Sequence, residues 1–446
     1  MLKRRTYNIW LSVVLPAVLF AALLGVLIWG LVRDAKATKY ETATKSMYSR
    51  AYNELVNELN NLEVTLSKIQ IAGTKAQYIL LLDDVWKSCG TCTALMSQIP
   101  SSHRDSYEMT QFLTRVGDYA KTLSTNIIHG EVLSANDMKQ LSELRNTSLE
   151  LAVKVTERYD EGKFPDELIT ADGYYEHSSE EYETEETRQK YPTLIYDGPF
   201  SESAEKATPK GLTGDDISRT TAYNIALEYI GKAVGLEFSS DSDGDIPSYD
   251  FSGQLADGRQ VDISISKKGG HLVWYMSSAT SNISGTPDES ALKAYKKAGL
   301  NYLDTHGYKN MESTYAQFYD GIILINYAAK KGDVILYNDL VKVWVDRGTG
   351  EIVGADAKNY LYSHVKRTIK PAEISKEDAK IYISDNLKIK DINLALIPAS
   401  PENEVLCYEF KGEFGGQSYI VYINAWTGEE QQIFRIIDTD SGALVV

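Results

Sequence analysis

The residues with the clearest chemical potential in this sequence are Cys89-Gly90-Thr91-Cys92, a C-x-x-C motif. Two thiols at this spacing form a redox pair at a strand-to-helix junction, or half of a zinc site when two more ligands lie nearby. Here the motif lies between two stretches with helical periodicity, and Cys407 is far away in the sequence. The context therefore favours a structural thiol pair or a local disulfide over a redox or metal-binding role. Three cysteines in 446 residues also exclude a disulfide framework.

Other polar residues are spaced unlike known catalytic or metal-binding motifs. None of the six histidines forms an H-E-x-x-H motif or another close ligand pair. Asp241, Asp243 and Asp245 alternate as in a calcium loop, but Gly244 precedes the third acid and Phe251 stands where an EF-hand needs glutamate. The glutamates between residues 180 and 186 form a solvated charge run rather than a glycosidase pair. We therefore predict no enzymatic activity, no cofactor and no metal.

Composition narrows the class of partner. The net charge is −16, which makes a nucleic-acid partner unlikely because phosphate binding needs clustered lysine and arginine. Hydrophobic residues make up 43% of the chain and charged residues 24%, as in globular proteins. A chain of 446 residues is long enough for two to four domains of ordinary size.

A helical domain is predicted over residues 36–160. Apolar residues recur at spacings of three and four from Tyr48 through Ile69, and the series continues through Gly73 to Leu80. This stripe predicts a long first helix, and two further amphipathic stretches follow it. The simplest assembly is an antiparallel helical bundle on a stalk. The pattern does not separate packing of the first helix within its own bundle from a homodimer through the helical domain.

Residues 161–215 form a predicted acidic linker that contains an apolar segment. Residues 172–190 show no hydrophobic period and carry many acids, so we predict that they are solvated. The next segment, Tyr191–Glu202, combines two prolines and a glycine with several large hydrophobic side chains. It either packs onto the following module or docks onto a partner. The candidate partner-docking residues are Tyr191, Pro192, Leu194, Ile195, Tyr196, Asp197, Gly198, Pro199 and Phe200.

Three α+β modules are predicted at residues 216–285, 286–365 and 366–446. Each has a short capped helix and then alternating strands with a tight turn. Val343–Glu351 aligns with Val421–Glu429, and Ile263–Gly270 is a looser copy. A glycine recurs in each turn because glycine accepts a positive φ that other side chains resist. The structural turn glycines are Gly270, Gly350 and Gly428.

The predicted helix starts of the modules also repeat. Ser218 and Ser375 hold corresponding positions after an isoleucine. In the middle module, Thr286 begins a capping-box pattern that places Pro287 at the first helical position.

An uninterrupted apolar segment, Ile9–Val32, precedes the helical domain. About 20 apolar residues span a bilayer as a helix, and a tryptophan lies near each end of the segment. Basic residues precede it, so we place the N-terminus in the cytoplasm and the bulk of the chain outside. Ala35-Lys36-Ala37 resembles a signal-peptide cleavage site, but the apolar run exceeds the length of a signal core. Residues 1–35 are therefore predicted to be a cytoplasmic tail and an uncleaved single-pass signal anchor.

The order of anchor, helical domain, acidic linker, Tyr191–Glu202 segment and tandem modules resembles the YpeB family of spore germination proteins over essentially the whole chain. The modules with Asp346–Glu351 resemble PepSY domains, which also occur in protease propeptides; Gly269-Gly270-His271 replaces the Thr-Gly-Glu turn in the first module. The resemblance implies a protein of endospore-forming bacteria at the inner spore membrane. It also implies a partner, the cortex-lytic enzyme SleB, which such a protein localises, stabilises and restrains until germination.

Two non-catalytic functions are compatible with these features of the sequence. The first is a membrane-tethered regulator of a cell-wall hydrolase, for which the sequence supplies a tether, a spacer and binding modules. The second is an extracytoplasmic ligand-binding sensor, which would have to act through a membrane partner because few residues precede the anchor. We predict the first. The expected fold is α+β, with an N-terminal transmembrane helix, an α-helical bundle domain and tandem PepSY-like modules with antiparallel sheets.

Overall fold

The structure is a computed structural model that describes residues 15–99, 103–160, 208–231, 233–283, 285–319, 321–400, 403–439 and 442–445. It has the expected α+β architecture, with a helical N-terminal part and antiparallel sheet modules after it. The chain divides into two compact units. The first comprises Met1–Glu63, Asp83–Thr122 and Glu143–Glu185, and the second comprises Val64–Leu82, Leu123–Ser142 and Glu186–Val446.

Four helices form the N-terminal part: α1 (Leu15–Ile69), α2 (Lys75–Met96), α3 (His103–Ile128) and α4 (Ala135–Asp160). The predicted continuation of the first helix to Leu80 is wrong. The helix ends at Ile69, and residues 70–74, called the hairpin tip below, turn the chain into α2. Apolar spacing is the same on both sides of this turn, so periodicity alone does not reveal it.

In the first unit, the apolar stripe of α1 packs inside the helical bundle. Leu59 and Leu62 are fully buried. The hydroxyl of Tyr52 donates a hydrogen bond to the carbonyl of Val155 on α4 over 2.8 Å. Within this unit, therefore, the stripe from Tyr52 to Leu62 is covered by the chain's own helices.

The C-x-x-C motif lies within α2, not between two helical stretches as predicted. Both of its thiols are free and buried. Burial raises the pKa of Cys89 to about 12, with a smaller contribution from the negative charge of Glu58, and the same causes raise the pKa of Cys92. A protonated thiol in apolar surroundings is a poor nucleophile and a poor metal ligand. In this structure the pair therefore consists of two free, buried thiols within α2.

The predicted anchor Ile9–Val32 begins outside the described residues and enters them at Leu15, the first residue of α1. Its large apolar side chains from Leu23 to Val32 are exposed. In the part of the chain that the structure describes, no helix combines the length and the apolar character that crossing a membrane requires.

Each of the three modules consists of a helix followed by antiparallel strands, which confirms the predicted order. Module 1 contains α5 (Arg219–Ile230), β1 (Ala233–Ser242), β2 (Ser248–Leu255), β3 (Gln260–Ser266) and β4 (Leu272–Ser277). Module 2 contains α6 (Glu289–Thr305), β5 (Met311–Phe318), β6 (Ile322–Lys331), β7 (Val334–Asp346), β8 (Ile352–Asp356) and α7 (Lys358–Ser363). Module 3 contains α8 (Lys376–Ala379), a 3₁₀ turn (Lys380–Tyr382), β9 (Lys388–Ser400), β10 (Asn403–Phe414), β11 (Gln417–Asn424), β12 (Glu430–Thr439) and β13 (Gly442–Val445).

The strands of all three modules join into one sheet. Their order is β1-β2-β3-β4-β8-β7-β6-β5-β13-β12-β11-β10-β9, and β7 also pairs with β9 in parallel. Because β13 pairs with β5 while β9 pairs with β7, the strands of modules 2 and 3 close into a ring. Side chains from both modules pack in one buried cluster there, including Tyr337, Cys407 and Tyr422.

The helix starts of modules 1 and 3 are as predicted, whereas the helix start of module 2 differs from the prediction. Ser218 caps α5 by accepting from the Thr221 N–H, and Ser375 forms a capping box at α8. In module 2 the N-cap is Asp288, so Pro287 lies one residue before the cap and its predicted place at the first helical position is wrong. An aspartate there combines a side-chain acceptor with a negative charge at the helix N-terminus, which stabilises the helix.

Candidate functional site at the turn end of the modules

The structure describes the predicted turn glycines but not the predicted docking segment. The candidate docking residues at positions 191, 192 and 194–200 lie outside the described residues. Gly270, Gly350 and Gly428 each occupy the turn between the third and fourth strands of a module, with φ of 66°, 74° and 77°. The three turns therefore occupy corresponding places in their modules.

Each of these turns holds the segment that leads into its own module's helix. We call these segments straps: residues 213–217, 280–283 and 373–374. In module 1, the N–H of Ile217 donates to the carbonyl of Lys267 over 2.8 Å. In module 3, the N–H groups of Glu373 and Ile374 donate to the carbonyl of Ala425 over 2.9 and 3.1 Å. The turn end of a module is thus a place where backbone of an extended segment is bound.

In module 2 this contact is made by a buried carboxylate, Asp346, the last residue of β7. Its Oδ2 accepts from the N–H of Thr280 at 2.6 Å, the hydroxyl of Thr280 at 3.0 Å and the N–H of Ser281 at 3.2 Å. Its Oδ1 accepts from the N–H groups of Gly348 and Thr349 at 2.8 and 3.0 Å. One side chain therefore fixes both the turn and the strap.

These hydrogen bonds decide the protonation state of Asp346. Burial by itself would raise the pKa of this carboxyl group. The backbone N–H groups of Thr280, Thr349 and Gly348, together with the Thr280 hydroxyl, outweigh burial and lower the pKa to about 2. Asp346 is therefore an anion held by uncharged donors at neutral pH.

The corresponding residues of the other modules build the turn without a charge. In module 3, the Oδ1 of Asn424 accepts from the N–H groups of Trp426 and Thr427 at 2.9 and 3.2 Å. In module 1, the hydroxyl of Ser266 accepts from the N–H of His271 at 2.8 Å. Aspartate, asparagine and serine all accept hydrogen bonds from nearby backbone N–H groups, which explains their place at the start of a turn.

Module 3 has a second carboxylate, Glu430, that holds a segment from far away in the sequence. Its Oε2 accepts from the N–H of Gly73 at 3.0 Å, the N–H of Thr74 at 3.1 Å and the hydroxyl of Thr74 at 3.2 Å. The side-chain amide of Asn386 adds a hydrogen bond to the carbonyl of Gln70 at 2.8 Å. Within the second unit, the hairpin tip is thus seated on module 3.

The tip needs glycine at position 73. A Cβ there would lie 1.9 Å from the carbonyl oxygen of Tyr382. Tyr382 in turn packs against the turn of module 3, since a Cβ at Gly428 would lie 2.4 Å from its ring. The tip, Tyr382 and the turn glycine therefore form one close-packed stack beside Glu430.

A further buried carboxylate, Glu409, holds modules 2 and 3 together. Its Oε2 accepts from the hydroxyls of Tyr337 at 2.5 Å and Tyr422 at 2.7 Å, and Lys411 lies 3.0 Å from its Oε1. Burial, and next the charge of Glu409, raise the pKa of both phenols well above the ordinary value. The phenols therefore stay protonated and act as donors, which is a structural role.

Two of these carboxylates, Asp346 and Glu430, bind segments of the chain through backbone N–H groups. Asp346 and Glu430 use the same pattern, in which one carboxylate oxygen takes two consecutive backbone N–H groups and a threonine hydroxyl. Across the described ranges, no group of three or more His, Cys, Asp or Glu side chains could hold a metal ion.

Sequence reasoning did not identify Asp346 or Glu430 as functional residues. Asp346 was visible as a member of the aligned segment Val343–Glu351, but its partner Thr280 precedes it by 66 residues. The partner of Glu430 is 356 residues away at Thr74. No local pattern signals contacts of such separation.

Three parts of the chain match families of known proteins. Residues 36–161 match a family described as YpeB N-terminal, and residues 180–370 match one described as YpeB sporulation, PepSY1 and PepSY2 domains. Residues 373–433 match PepSY, described as peptidase propeptide and YPEB domain.

Several similar proteins are named sporulation protein YpeB. The one from Halalkalibacterium halodurans is 24% identical over 92% of this chain and 94% of its own length. The one from Bacillus subtilis is 24% identical over 95% of this chain and 97% of its own length, and the one from Oceanobacillus iheyensis is 22% identical over 96% and 97%. Among solved structures, the Bacillus megaterium YpeB C-terminal domain aligns with a TM-score of 0.44 at 25% identity, covering 50% of this chain and 99% of that one.

Proposed function

Because the chain belongs to the YpeB family of sporulation proteins, we propose that it is a non-catalytic, membrane-anchored protein of spore germination. Its proposed partner is the cortex-lytic enzyme SleB. In this proposal the protein localises the enzyme at the inner spore membrane, stabilises it and restrains it until germination. The partner follows from the family resemblance, whereas the binding role also rests on the chemistry of the modules.

The observation that carries the binding role is the repeated capture of chain segments at the turn end of the modules. Asp346 and Glu430 are buried carboxylates whose hydrogen bonds go to backbone N–H groups and to threonine hydroxyls. Backbone N–H groups occur in every peptide, so a module built in this way suits the holding of extended protein segments. A protein that restrains a hydrolase needs such contacts and needs no catalytic group.

The anchor is proposed to be Ile9–Val32, in a single pass, with the bulk of the chain outside the cytoplasm. The segment has no charged residue. The exposed apolar side chains from Leu23 to Val32 form a surface that water does not favour and that acyl chains would cover. The docking segment Tyr191–Phe200 is proposed to contact the partner, because it places several apolar side chains directly after a stretch of sequence rich in acidic residues.

Removal of residues 1–35 is expected to separate binding from localisation. The shortened chain should still co-elute with purified SleB, since the regions proposed to carry the contacts remain. It should no longer retain the enzyme on membrane vesicles, whereas the full chain should retain it after an alkaline carbonate wash. A shortened chain that fails to co-elute with SleB while keeping its far-ultraviolet circular dichroism would contradict the assigned contacts.

The same co-elution assay tests the docking segment with a matched pair of variants. Replacement of Leu194, Ile195 and Tyr196 by alanine should weaken co-elution about tenfold or more, because buried apolar anchors dominate interface energy. Tyr182→Ala alters a tyrosine of the acidic stretch in the same linker and should leave binding unchanged. If the triple alanine variant and Tyr182→Ala bind SleB equally well, the docking segment does not contact the enzyme.

A homodimer through the helical domain is proposed for the part of α1 that precedes the bundle. Tyr40 and Met47 lie seven residues apart, on one face of the helix, and are 73% and 63% exposed. A second copy packed in parallel would cover both. In detergent, light scattering of the full chain should give twice the mass of one chain. Tyr40→Ser with Met47→Ser should give a single chain, whereas Thr42→Ala on another face should not change the mass. A monomeric full chain would exclude this dimer.

A further inference from the structure

Where the hairpin tip contacts module 3, the two carboxylate oxygens of Glu430 differ in their hydrogen bonds. Glu430 is only 5% exposed. Its Oε2 receives three donors from Gly73 and Thr74, whereas its Oε1 is buried and has no hydrogen-bond partner among the described residues. An ionised carboxylate spreads its charge over both oxygens, so one uncompensated oxygen in a buried site is costly. A proton on Oε1 removes that charge and leaves Oε2 free to accept the three donors.

Asp346, which holds the strap of module 2 and is called the Asp346 clamp below, is surrounded by hydrogen bonds differently from Glu430. Asp346 also holds two consecutive N–H groups and a threonine hydroxyl, but both of its oxygens receive donors. Its pKa is lowered to about 2. For Glu430, burial raises the pKa to about 7, and the donors from Gly73 and Thr74 offset only part of that effect. The two carboxyl groups bind similar sets of donors, but their surroundings favour the ionised form of Asp346 and the protonated form of Glu430.

From this geometry we propose that Glu430 is a proton-operated latch for the hairpin tip. The protonated carboxyl group holds residues 70–74 on module 3. Loss of its proton to solvent leaves a buried, half-compensated anion and lets the tip open more readily. The Asp346 clamp has no such dependence near neutral pH, so module 2 keeps its strap while the tip opens.

The charged and titratable groups around the latch come from several elements. They are Lys68, Lys75 and Tyr78 on α1 and α2, Tyr382 and Asp385 beside the tip, and Glu429 and Arg435 next to or on β12. The phenol of Tyr78 donates to the carbonyl of Ala72 at 2.7 Å, and burial, followed by the charge of Glu430, raises its pKa. Arg435 faces Ser67, at 3.2 Å. No histidine is among these groups, and histidine is the side chain that ordinarily titrates between about pH 5 and 8.

The sign of the effect follows from the direction of the pKa shift. The pKa of Glu430 is raised in the docked state from its ordinary value of 4.5 to about 7. The docked tip therefore has its full stability below about pH 4.5, loses stability as the pH rises towards 7, and changes little above that. A shift of this size corresponds to an opening equilibrium that grows on the order of a hundredfold across the window.

Hydrogen exchange of the full chain in detergent tests the latch directly. At each pH, the exchange rate of the amides in residues 70–76 is divided by their intrinsic rate to give a protection factor. We expect this protection to fall on the order of a hundredfold between pH 5 and pH 7.5 and then to level off. The amides of Thr280 and Ser281 serve as an internal control, and their protection should stay constant over the same range.

Two variants make the test specific. Glu430→Gln cannot titrate, so protection of the tip should not depend on pH. Thr74→Val removes a donor that favours the ionised form, so the fall in protection should move to higher pH. Glu429→Gln changes the exposed neighbour and should behave as the unaltered chain.

The pH dependence of protection in the unaltered chain and in the two variants shows whether Glu430 acts as a latch. A flat protection factor in the unaltered chain, or a fall of equal size in Glu430→Gln, would overturn it. If Glu430→Gln shows no protection at any pH, the decision passes to Thr74→Val. A midpoint that moves upward in Thr74→Val supports the latch, and an unchanged midpoint overturns it.

Discussion

The substitution Asp346→Ala is expected to lower the free energy of unfolding of the second unit by about 3–5 kcal/mol. The change removes the acceptor of four backbone N–H groups, those of Thr280, Ser281, Gly348 and Thr349. A buried donor without a partner costs about 1–3 kcal/mol, and water that enters the space left by the side chain recovers part of this. Urea unfolding of the full chain in detergent, followed by tryptophan fluorescence, measures the loss.

The variant Asp346→Asn is the matched control because module 3 has asparagine at the corresponding position. Its Oδ1 can still accept from Gly348 and Thr349, as Asn424 does in its own turn. Its amide nitrogen, however, would face the N–H groups of the strap and cannot accept from them. We therefore expect a loss smaller than that of alanine, with the turn kept and the strap released. Equal losses for alanine and asparagine would mean that the turn contacts of Asp346 contribute nothing.

The contribution of Asp346 should also depend on pH. Its pKa is lowered from the ordinary 3.8 to about 2, so the stability that the carboxylate supplies is present above about pH 4 and is lost as the pH falls towards 2. The difference in stability between the unaltered chain and Asp346→Asn should therefore shrink in acid. A difference that stays constant down to pH 2 would contradict the assignment of the charge to these hydrogen bonds.

The order of elements in the modules could be predicted from the sequence because it depends on local chemistry. Ser218 and Ser375 cap helices as expected, and the turn glycines have the positive φ that their spacing in the aligned strands suggests. Asp288 shows the limit of such reasoning. Threonine and aspartate are both good N-caps, so the residues around Pro287 allowed two helix starts, and the structure uses the second.

The contacts between distant segments could not be predicted in this way. The end of α1 at Ile69 leaves no trace in the apolar spacing, which continues to Leu80. What requires the turn is the close approach of Gly73 to Tyr382 and the hydrogen bonds to Glu430, in another part of the chain. A glycine at position 73 and a glutamate at position 430 are unremarkable by themselves. Only their position in the folded chain gives them a common role.

The turn glycines of modules 2 and 3 are expected to differ in what they tolerate. Gly350 and Gly428 have nearly the same φ, 74° and 77°, so alanine at either position pays the same backbone strain of about 1–2 kcal/mol. The space around them differs. A Cβ at Gly350 meets nothing within 4 Å, whereas one at Gly428 would lie 2.4 Å from the ring of Tyr382.

Gly428→Ala should therefore lower the free energy of unfolding by about 3–5 kcal/mol, and Gly350→Ala by about 1–2 kcal/mol. The additional loss arises because the ring of Tyr382 must move, and its carbonyl lies against Gly73 in the hairpin tip. Urea unfolding measures both losses, and hydrogen exchange of residues 70–76 should show that only Gly428→Ala frees the tip.

A double-mutant cycle with Tyr382→Ala separates strain from steric overlap. In that background the ring is gone, so Gly428→Ala should cost about as much as Gly350→Ala, and the coupling energy should be about 1–3 kcal/mol. Gly350→Ala, which is distant from the ring, should show no coupling. Equal losses at the two glycines in the unaltered background would mean that the ring of Tyr382 moves aside without cost. The turn of module 3 would then not transmit any change to the tip that Glu430 holds.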